Sequence, residues 1–409
     1  MLTLLHRNRD FAVFLVTQST SNVGDAARNV IIPLLVLQLT DSPAIVAAIL
    51  LVQTAANFVL RLPFGALVDR WDRRRTMLLA DLGRGILTLV VPLVAILGGP
   101  VLPTLVLVVM PLSVLTTFFS AGFGAITPAL VDEEDVGGAY GLMEGAESFA
   151  WVVGPLLAGL VTTSVGPTNA LIIDALSFFV SVAGLAAIRT PVRASTAAAR
   201  GRQALWREIA DGLRFLAGHA TLRRVVLSWT LYGSIGYGVV AGLIYVGSHT
   251  GNEGTTAASV AVAAYSAGSV LGTLAAGSRQ PGSPWLTISA SLLVSATGAA
   301  LVASAATIAI IAGALVFGLG EGFFLVIYLS LQATVTPDEM RGRITSASSV
   351  LTSLAAVIGV GWMGLALQWL GGREAFALVA VLALALSLGL GATRPRAERG
   401  RMAASQPEP

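Results

Sequence analysis

The stretch "GALVDRWDRRR", from Gly65 to Arg75, places six charged residues in the seven positions that begin at Asp69. Only 11% of the 409 residues in the chain are charged, 55% are hydrophobic, and long apolar runs flank this stretch on both sides. So much apolar surface is typical of a membrane protein. We therefore interpret the stretch as a short polar loop that joins two membrane-spanning helices.

Apolar segments of about 20 residues, each long enough to cross a bilayer as a helix, recur along the chain from Phe11 onward. They predict an all-α polytopic membrane protein with twelve transmembrane helices. Pro, Gly, Asp and Ser mark several of the breaks, such as "TDSPA" and "GGPVLP". The predicted spans are roughly 11–39, 43–68, 75–98, 101–130, 138–163, 167–189, 222–247, 256–278, 285–305, 307–332, 344–368 and 373–393.

All 25 basic residues are arginines, and their distribution predicts the orientation of the chain. If both termini are cytoplasmic, 21 of the 25 fall in the tails and the cytoplasmic loops, whereas the opposite loops contain only Arg373. This asymmetry follows the positive-inside rule. We expect a multi-pass protein of the bacterial plasma membrane with both termini in the cytoplasm.

The two halves of the chain resemble each other at equivalent loops. "ALVDEEDVGGAYG" (129–141) aligns with "ATVTPDEMRGRIT" (333–345), each between the fourth and fifth spans of its half. Such a six-plus-six repeat suggests two bundles with a substrate path between them. We expect an N-terminal six-helix bundle at 1–189 and a C-terminal bundle with its cytoplasmic tail at 222–409. The polar linker at 190–221 has apolar residues at helical spacing, and we expect a short amphipathic helix on the membrane surface.

Residue types that the sequence lacks exclude several functions. Without lysine there is no Walker A loop and no retinal Schiff base. There is no cysteine, and His6, His219 and His249 fall outside the apolar runs, so haem, iron–sulfur and zinc sites are not expected. We expect no metal, no cofactor, no nucleic-acid partner and no enzymatic activity. What remains is a membrane protein that functions through conformational change.

The stretch at 65–75 resembles the loop between spans two and three of the major facilitator superfamily, whose pattern is Gly-x-Leu-x-Asp-Arg-x-Gly-Arg-Arg. The matching positions are Gly65, Leu67, Asp69, Arg70, Arg73 and Arg74, and Asp72 replaces the second glycine. The similarity covers essentially the entire chain. It is to the enterobactin-exporter and macrolide-efflux branch, with "SNVGDA" in span one and "PDEMRGR" before span eleven. It implies the major facilitator fold, two six-helix bundles that work by alternating access.

By this resemblance the loop is a cytoplasmic gate made of Gly65, Asp69, Arg70, Arg73 and Arg74. The glycine would let two helices approach, and Asp69 would sit against a helix N-terminus of the other bundle, where negative charge is favoured. Arg70 or Arg73 would pair with an acid, for which "DEED" at 132–135 offers candidates. In the alternative interpretation, the arginines only hold the hairpin in its orientation.

The stretch "AWVVGPLLAGL" (150–160) in span five resembles the antiporter signature Gly-x-x-x-Gly-Pro-x-x-Gly-Gly. Gly154, Pro155 and Gly159 match it, whereas Ala150 and Ala158 replace two glycines. The resemblance favours export over uptake. The alternative is an ordinary face of small residues, which allows close helix packing.

Nine charged residues lie in the interior of the predicted spans, away from their ends, where each is costly unless it is paired or faces water. They are Asp25, Arg28, Arg61, Asp81, Arg84, Glu144, Glu147, Asp174 and Glu321. We expect Asp81 and Arg84 to pair with each other, and Asp174 only to cap a helix or to snorkel.

Proton coupling and substrate binding are assigned to the other acids at membrane depth. A carboxyl in a low-dielectric cavity takes up a proton readily, so Glu321, with Glu144 or Glu147, is the predicted proton-carrying set. Glu321 is the only charged residue in the interior of the C-terminal spans, away from their ends, and its flanking glycines suit a backbone beside a cavity. Asp25 has Arg28 one turn away and is expected to orient or bind substrate.

Aromatic residues could line a cavity for large apolar or cationic compounds, although most aromatics in membranes only pack. The candidates are Phe118, Phe119, Trp229, Tyr232, Tyr237, Phe323, Phe324 and Tyr328. We predict a monomeric, proton-driven exporter of amphipathic small molecules. A siderophore or metabolite exporter, proton-coupled uptake and a non-transporting membrane receptor or scaffold remain as alternatives.

Overall fold

The computed structural model describes residues 2–68, 71–190, 202–250, 254–277 and 283–392, and at some positions within these ranges, among them 60–68, it describes only the backbone. All regular secondary structure in the described residues is helical. The α-helices are α1 Leu2–Arg7, α2 Arg9–Thr40, α3 Pro43–Val68, α4 Arg73–Ile96, α5 Val101–Leu130, α6 Val136–Val165, α7 Pro167–Ala187, α8 Arg202–Gly218, α9 Ala220–Gly236, α10 Val239–Ser248, α11 Gly254–Gly277, α12 Pro284–Val302, α13 Thr307–Val335, α14 Arg341–Trp369 and α15 Gly372–Ala392.

The helices confirm the all-α polytopic architecture. Among the described residues, eleven helical segments are long and apolar enough to cross a bilayer. Helix α3 has 26 residues, enough for a twelfth crossing, and its described apolar part is Pro43–Ala56. The two loops that align between the halves have the same form, since each contains a single 3-10 turn, Glu133–Asp135 and Asp338–Met340.

The seventh span is interrupted, whereas the sequence predicts one continuous helix at 222–247. Helix α9 ends at Gly236, and α10 begins at Val239. At the break, Gly238 lies so close to the backbone carbonyl of Gly359 and the side chain of Met363 that a Cβ atom would not fit. The segment is apolar enough to cross a bilayer as a whole, so its hydropathy does not predict an interruption.

Two compact units make up the chain. The first comprises Met1–Glu208 with Gly247–Ala263, and the second comprises Ile209–Val246 with Ala264–Pro409. The bundle boundaries at 189 and 222 stay a prediction from the sequence.

In the first unit, α2 is the central helix and packs against α6 and α7, while α4 packs against α5 and α7. Phe11 and Phe14 of α2 and Met77 of α4 are completely buried in its core. The middle of α2, where the predicted site residues lie, is therefore flanked by α6 and α7.

In the second unit, α12 packs against α13 and α15, and α9 packs against α13 and α14. Helix α13 also approaches α11 closely, because Gly318 and Gly322 face the backbone carbonyls of Tyr265 and Ser269 with no room for a Cβ atom. Gly320 likewise has no room for a Cβ atom, because Ser291 and Ser295 of α12 lie against it. The two glycines that flank Glu321 thus serve helix packing, and the expectation that they border a cavity is wrong.

Candidate functional site

Five charged side chains form a continuous buried ion network in the first unit, which we call the charge cluster: Asp25 and Arg28 of α2, Asp81 and Arg84 of α4, and Asp174 of α7. Arg28 donates to Asp25 and, at 3.0 Å, to Asp174 Oδ2. Arg84 donates to both carboxylate oxygens of Asp25 at 2.7 Å and to Asp81 Oδ1 at 2.8 Å. The cluster therefore ties three helices together through two guanidinium groups.

Polar and aromatic neighbours stabilise the charges of the charge cluster inside the unit. Ser181 donates to Asp81 Oδ2, and Gln18 donates to the Ser181 hydroxyl at 2.7 Å. The guanidinium of Arg84 lies 4.1 Å from the ring centroid of Phe178, and that of Arg28 lies 5.4 Å from it. Both distances are within the range of cation–π attraction, so one aromatic ring supports both cations.

The charge cluster agrees only in part with the expectations from the sequence. Asp81 and Arg84 pair as expected. Asp174 does not snorkel or cap a helix, because its side chain is completely buried against Arg28. The Arg28 side chain is also buried, at 10% exposed, whereas Asp25 keeps 28% of its side chain exposed. Of the predicted pair in α2, only the carboxylate is open to the surface of the unit.

Glu144 and Glu147 lie one turn apart on α6, and both residues are exposed on the first unit. Among the described residues, neither forms an ion pair, and Trp151 bonds to Glu147 from the next turn. They lie outside the charge cluster.

Glu321 on α13 is the centre of a different site, in the second unit. The hydroxyl of Tyr265 on α11 donates to its Oε2 at 2.7 Å. Among the described residues, no arginine or histidine forms an ion pair with it. This carboxyl, half-buried in the unit, thus has a neutral partner and no counter-ion in the part of the chain that the structure describes. The sequence interpretation missed Tyr265, because the contact depends on how α11 and α13 are rotated.

The aromatic residues near Glu321 pack mainly with one another. Trp229 stacks on Tyr328 and meets Phe324 edge-on, and Tyr232 stacks on Phe317. These five side chains are buried. Tyr237, one of the aromatic residues predicted to line a cavity, is exposed over 42% of its surface.

Polar contacts join the start of α2 and the start of α4 to the end of α7. The carboxylate of Asp10, near the start of α2, accepts from the backbone amides of Arg189 and Thr190 at 2.9 and 2.7 Å. Arg74 donates to the carbonyls of Leu185 and Ala186 at 2.6 and 2.7 Å. The two bonds from Arg74 cap the C-terminal carbonyls of α7, where positive charge is favoured, whereas Asp10 binds the backbone that follows the helix.

Residues 14–278, more than half of the chain, match the family description Major Facilitator Superfamily. The chain belongs to the Major Facilitator Superfamily. It is 25% identical to macrolide efflux protein A of Streptococcus pyogenes over 78% of the chain and 79% of that protein. It is 25% identical to the multidrug efflux pump Tap of Mycolicibacterium fortuitum over 83% of the chain and 85% of that protein.

The fold is similar to that of solved transporters. The crystal structure of the nucleoside transporter NupG superposes with a TM-score of 0.73 at 12% identity, covering 94% of this chain and 98% of that one. Membership in the Major Facilitator Superfamily confirms the resemblance drawn from residues 65–75. The protein is thus a multi-pass membrane transporter of small molecules and not an enzyme.

The predicted gate of this superfamily member lies partly outside the described residues. Asp69 and Arg70 are not described, and Gly65 is described only as backbone within α3. Arg74 bonds to the end of α7, as given above, and Asp72 is the N-cap of α4, accepting from the amide of Arg75 at 3.0 Å. Asp72 therefore begins a helix at the position where the superfamily pattern has a glycine.

The acidic stretch at 132–135 has a partner that the sequence interpretation did not consider. Arg7 forms ion pairs with Asp132, at 3.2 Å, and with Asp135. The gate pairing of this stretch with Arg70 or Arg73 stays a prediction.

The signature in span five lies at two close helix contacts. A Cβ atom on Gly154 would lie 2.5 Å from the Cβ of Ala26 on α2, and one on Gly159 would lie 2.6 Å from the Cβ of Ser259 in the same unit. Pro155 is buried within α6. Both glycines are required for packing, and a further role in antiport stays a prediction.

Proposed function

We propose that this transporter is a proton-coupled antiporter that exports amphipathic small molecules by alternating access. The relatives named macrolide efflux protein A and multidrug efflux pump Tap support export as the direction of transport and amphipathic small molecules as the substrate class. The half-buried carboxyl of Glu321, with a neutral hydroxyl as its described partner, is the observation that carries the proposal.

Glu321 suits antiport because its charge needs compensation. A carboxylate without a counter-ion at membrane depth is costly, and either a proton or a cationic substrate group relieves that cost. The two occupants compete for the same oxygen atoms. Tyr265 holds the side chain in place in both states, and the exposed ring of Tyr237 offers a surface for an apolar or cationic substrate.

The first unit contributes its own acids to the proposal. Glu144 and Glu147 are exposed and without described ion pairs, so they serve with Glu321 as the protonatable set. Asp25 orients or binds substrate, since its exposed carboxylate edge is held in place by Arg28 and Arg84. Gly65, Asp69, Arg70, Arg73 and Arg74 form the cytoplasmic gate. The protein acts as a monomer in the bacterial plasma membrane, with both termini in the cytoplasm.

The test is transport by the purified full-length protein in proteoliposomes with an imposed pH gradient. A radiolabelled macrolide is the probe, and a protonophore removes the gradient. We expect gradient-driven accumulation in the wild type and none in Glu321→Gln, with substrate binding and energy-independent exchange largely retained. Tyr265→Phe keeps the carboxyl but removes its donor, and is expected to slow transport without abolishing it.

Glu339→Gln is the matched control, because Glu339 is an exposed glutamate in the loop before α14. It should transport at the wild-type rate. Uphill transport at wild-type rates by both Glu321→Gln and the Glu144→Gln/Glu147→Gln double variant would refute the assignment. Accumulation that is indifferent to the protonophore would refute proton coupling altogether.

A further inference from the structure

The charge cluster carries one more negative group than positive groups. It contains three carboxyls, Asp25, Asp81 and Asp174, and two guanidiniums, Arg28 and Arg84. Asp81, Asp174 and both arginines are buried. An excess charge at such a place is costly in free energy, because neither water nor a counter-ion compensates it.

The hydrogen bonds show which carboxyl is least compensated. Asp25 accepts from both arginines, and Asp81 accepts from Arg84 on one oxygen and from Ser181 on the other. Asp174 accepts one bond, from Arg28 to Oδ2. Its Oδ1 is completely buried and has no hydrogen-bond partner among the described residues. The excess charge therefore concentrates at Asp174.

No additional cation reaches Asp174 from the helices described around it. Helix α2 contributes Asp25 and Arg28, and α4 contributes Asp81 and Arg84. Helix α6, the third neighbour of α7, contributes no cation, since its charged residues are the exposed acids Glu144 and Glu147. Each guanidinium is already shared between two carboxyls.

We propose that the charge cluster binds one proton and that Asp174 holds it. A metal cation does not suit the same place, because a hard cation takes several oxygen ligands and the surroundings of Oδ1 are tightly packed. A Cβ atom on Gly24 would already lie 3.1 Å from this oxygen and against the side chain of Ser177. The proton neutralises the cluster without requiring space.

This site is separate from the proposed proton set at Glu321, Glu144 and Glu147, and it has a mechanical consequence. With the proton bound, Arg28 is held mainly by Asp25 on its own helix. When the proton leaves, the charged Asp174 draws Arg28 toward α7. The strength of the contact between α2 and α7 therefore depends on the occupancy of this one site.

Infrared spectroscopy of the purified full-length protein tests the proposal without transport. A protonated carboxyl has a C=O stretching band that ionised carboxylates lack and that shifts in D₂O. The background is the Glu144→Gln/Glu147→Gln/Glu321→Gln triple variant, which removes the carboxyls of the proposed proton set. At neutral pH we expect this variant to retain a band equal to one carboxyl, and we expect Asp174→Asn on top of it to abolish the band.

Asp81→Asn removes the same charge from the charge cluster and is the second variant if Asp174→Asn does not fold. It too should abolish the band, since two carboxylates then balance two guanidiniums. Ser181→Ala alters a hydrogen bond to Asp81 but no charge, so its band should remain. The absence of a band in the triple variant, or its survival in Asp174→Asn, would overturn the proposal. Either result leaves the function proposed for Glu321 untouched, because that glutamate is absent from the background.

Discussion

The carboxylate of Asp25 on α2 receives both of its bonds to Arg84 of α4 from a single nitrogen, Nη2, at 2.7 Å to each oxygen. The second terminal nitrogen, Nη1, is thereby left for Asp81, 2.8 Å away on the same helix as the arginine. One guanidinium thus holds two carboxylates from two helices. The planar fork of arginine allows this arrangement, whereas the point charge of lysine does not.

Replacing Arg84 should therefore destabilise the first unit strongly. In Arg84→Gln, three carboxyls, of which Asp81 and Asp174 are buried, face one guanidinium, and we expect a loss of roughly 3 kcal/mol, as for other buried ion networks that lose one partner. The measurement is the apparent melting temperature of the purified protein in detergent. Arg75→Gln is the control, since Arg75 is 86% exposed and should melt with the wild type. Equal melting of the two variants would contradict a structural role for the network.

Substitutions of Arg74 distinguish a role in capping α7 from a role in the cytoplasmic gate. In Arg74→Gln the carbonyls of Leu185 and Ala186 lose their charged donor, so the melting temperature should fall by a few degrees. Arg74→Lys keeps a positive charge at the end of α7 and should recover part of the loss. If Arg74→Gln melts like the wild type but fails to transport, the capping contact is not the reason for its presence, and the gate assignment gains support.

The gate prediction depends most on Asp69. Asp69→Asn removes the negative charge and leaves all the arginines that orient the hairpin, so expression should be nearly unchanged while transport falls strongly. Labelling of cysteines introduced on the cytoplasmic side should increase. A variant that transports normally would mean that the motif is a topology signal only.

The topology can be tested with reporters fused at three positions. A reporter at Gly251 or at Gly371 should behave as external, and one at Arg200 as cytoplasmic, because 21 of the 25 arginines then lie on the inner side. An external signal at Arg200 would overturn the arrangement of two six-helix bundles.

The sequence predicted the spans well because hydropathy is a local property. A run of apolar residues long enough for the bilayer forms a helix whatever its neighbours are. The loops at Glu133–Asp135 and Asp338–Met340 were likewise located by their polar composition. The break at Gly238 was missed because a close approach to Met363 leaves no trace in hydropathy.

Partners across helices were much harder to predict. Pairing within a helix follows from spacing, so Asp81 with Arg84 and Asp25 with Arg28 could be proposed. The bond from Arg28 to Asp174, 146 residues away, depends on the rotation and depth of two helices. One signal was available: the first half contains more acids than arginines at membrane depth, and such charges have only each other as partners.

The contact of Asp10 with Arg189 and Thr190 brings the point where the chain enters α2 next to the point where it leaves α7. The six spans of the N-terminal half thus trace an almost closed loop. Neighbouring ends are the arrangement that tolerates circular permutation. A short linker from Thr190 to Asn8 would connect the two ends. The new termini would lie in the loop at Gly98–Gly99, where a turn separates α4 from α5.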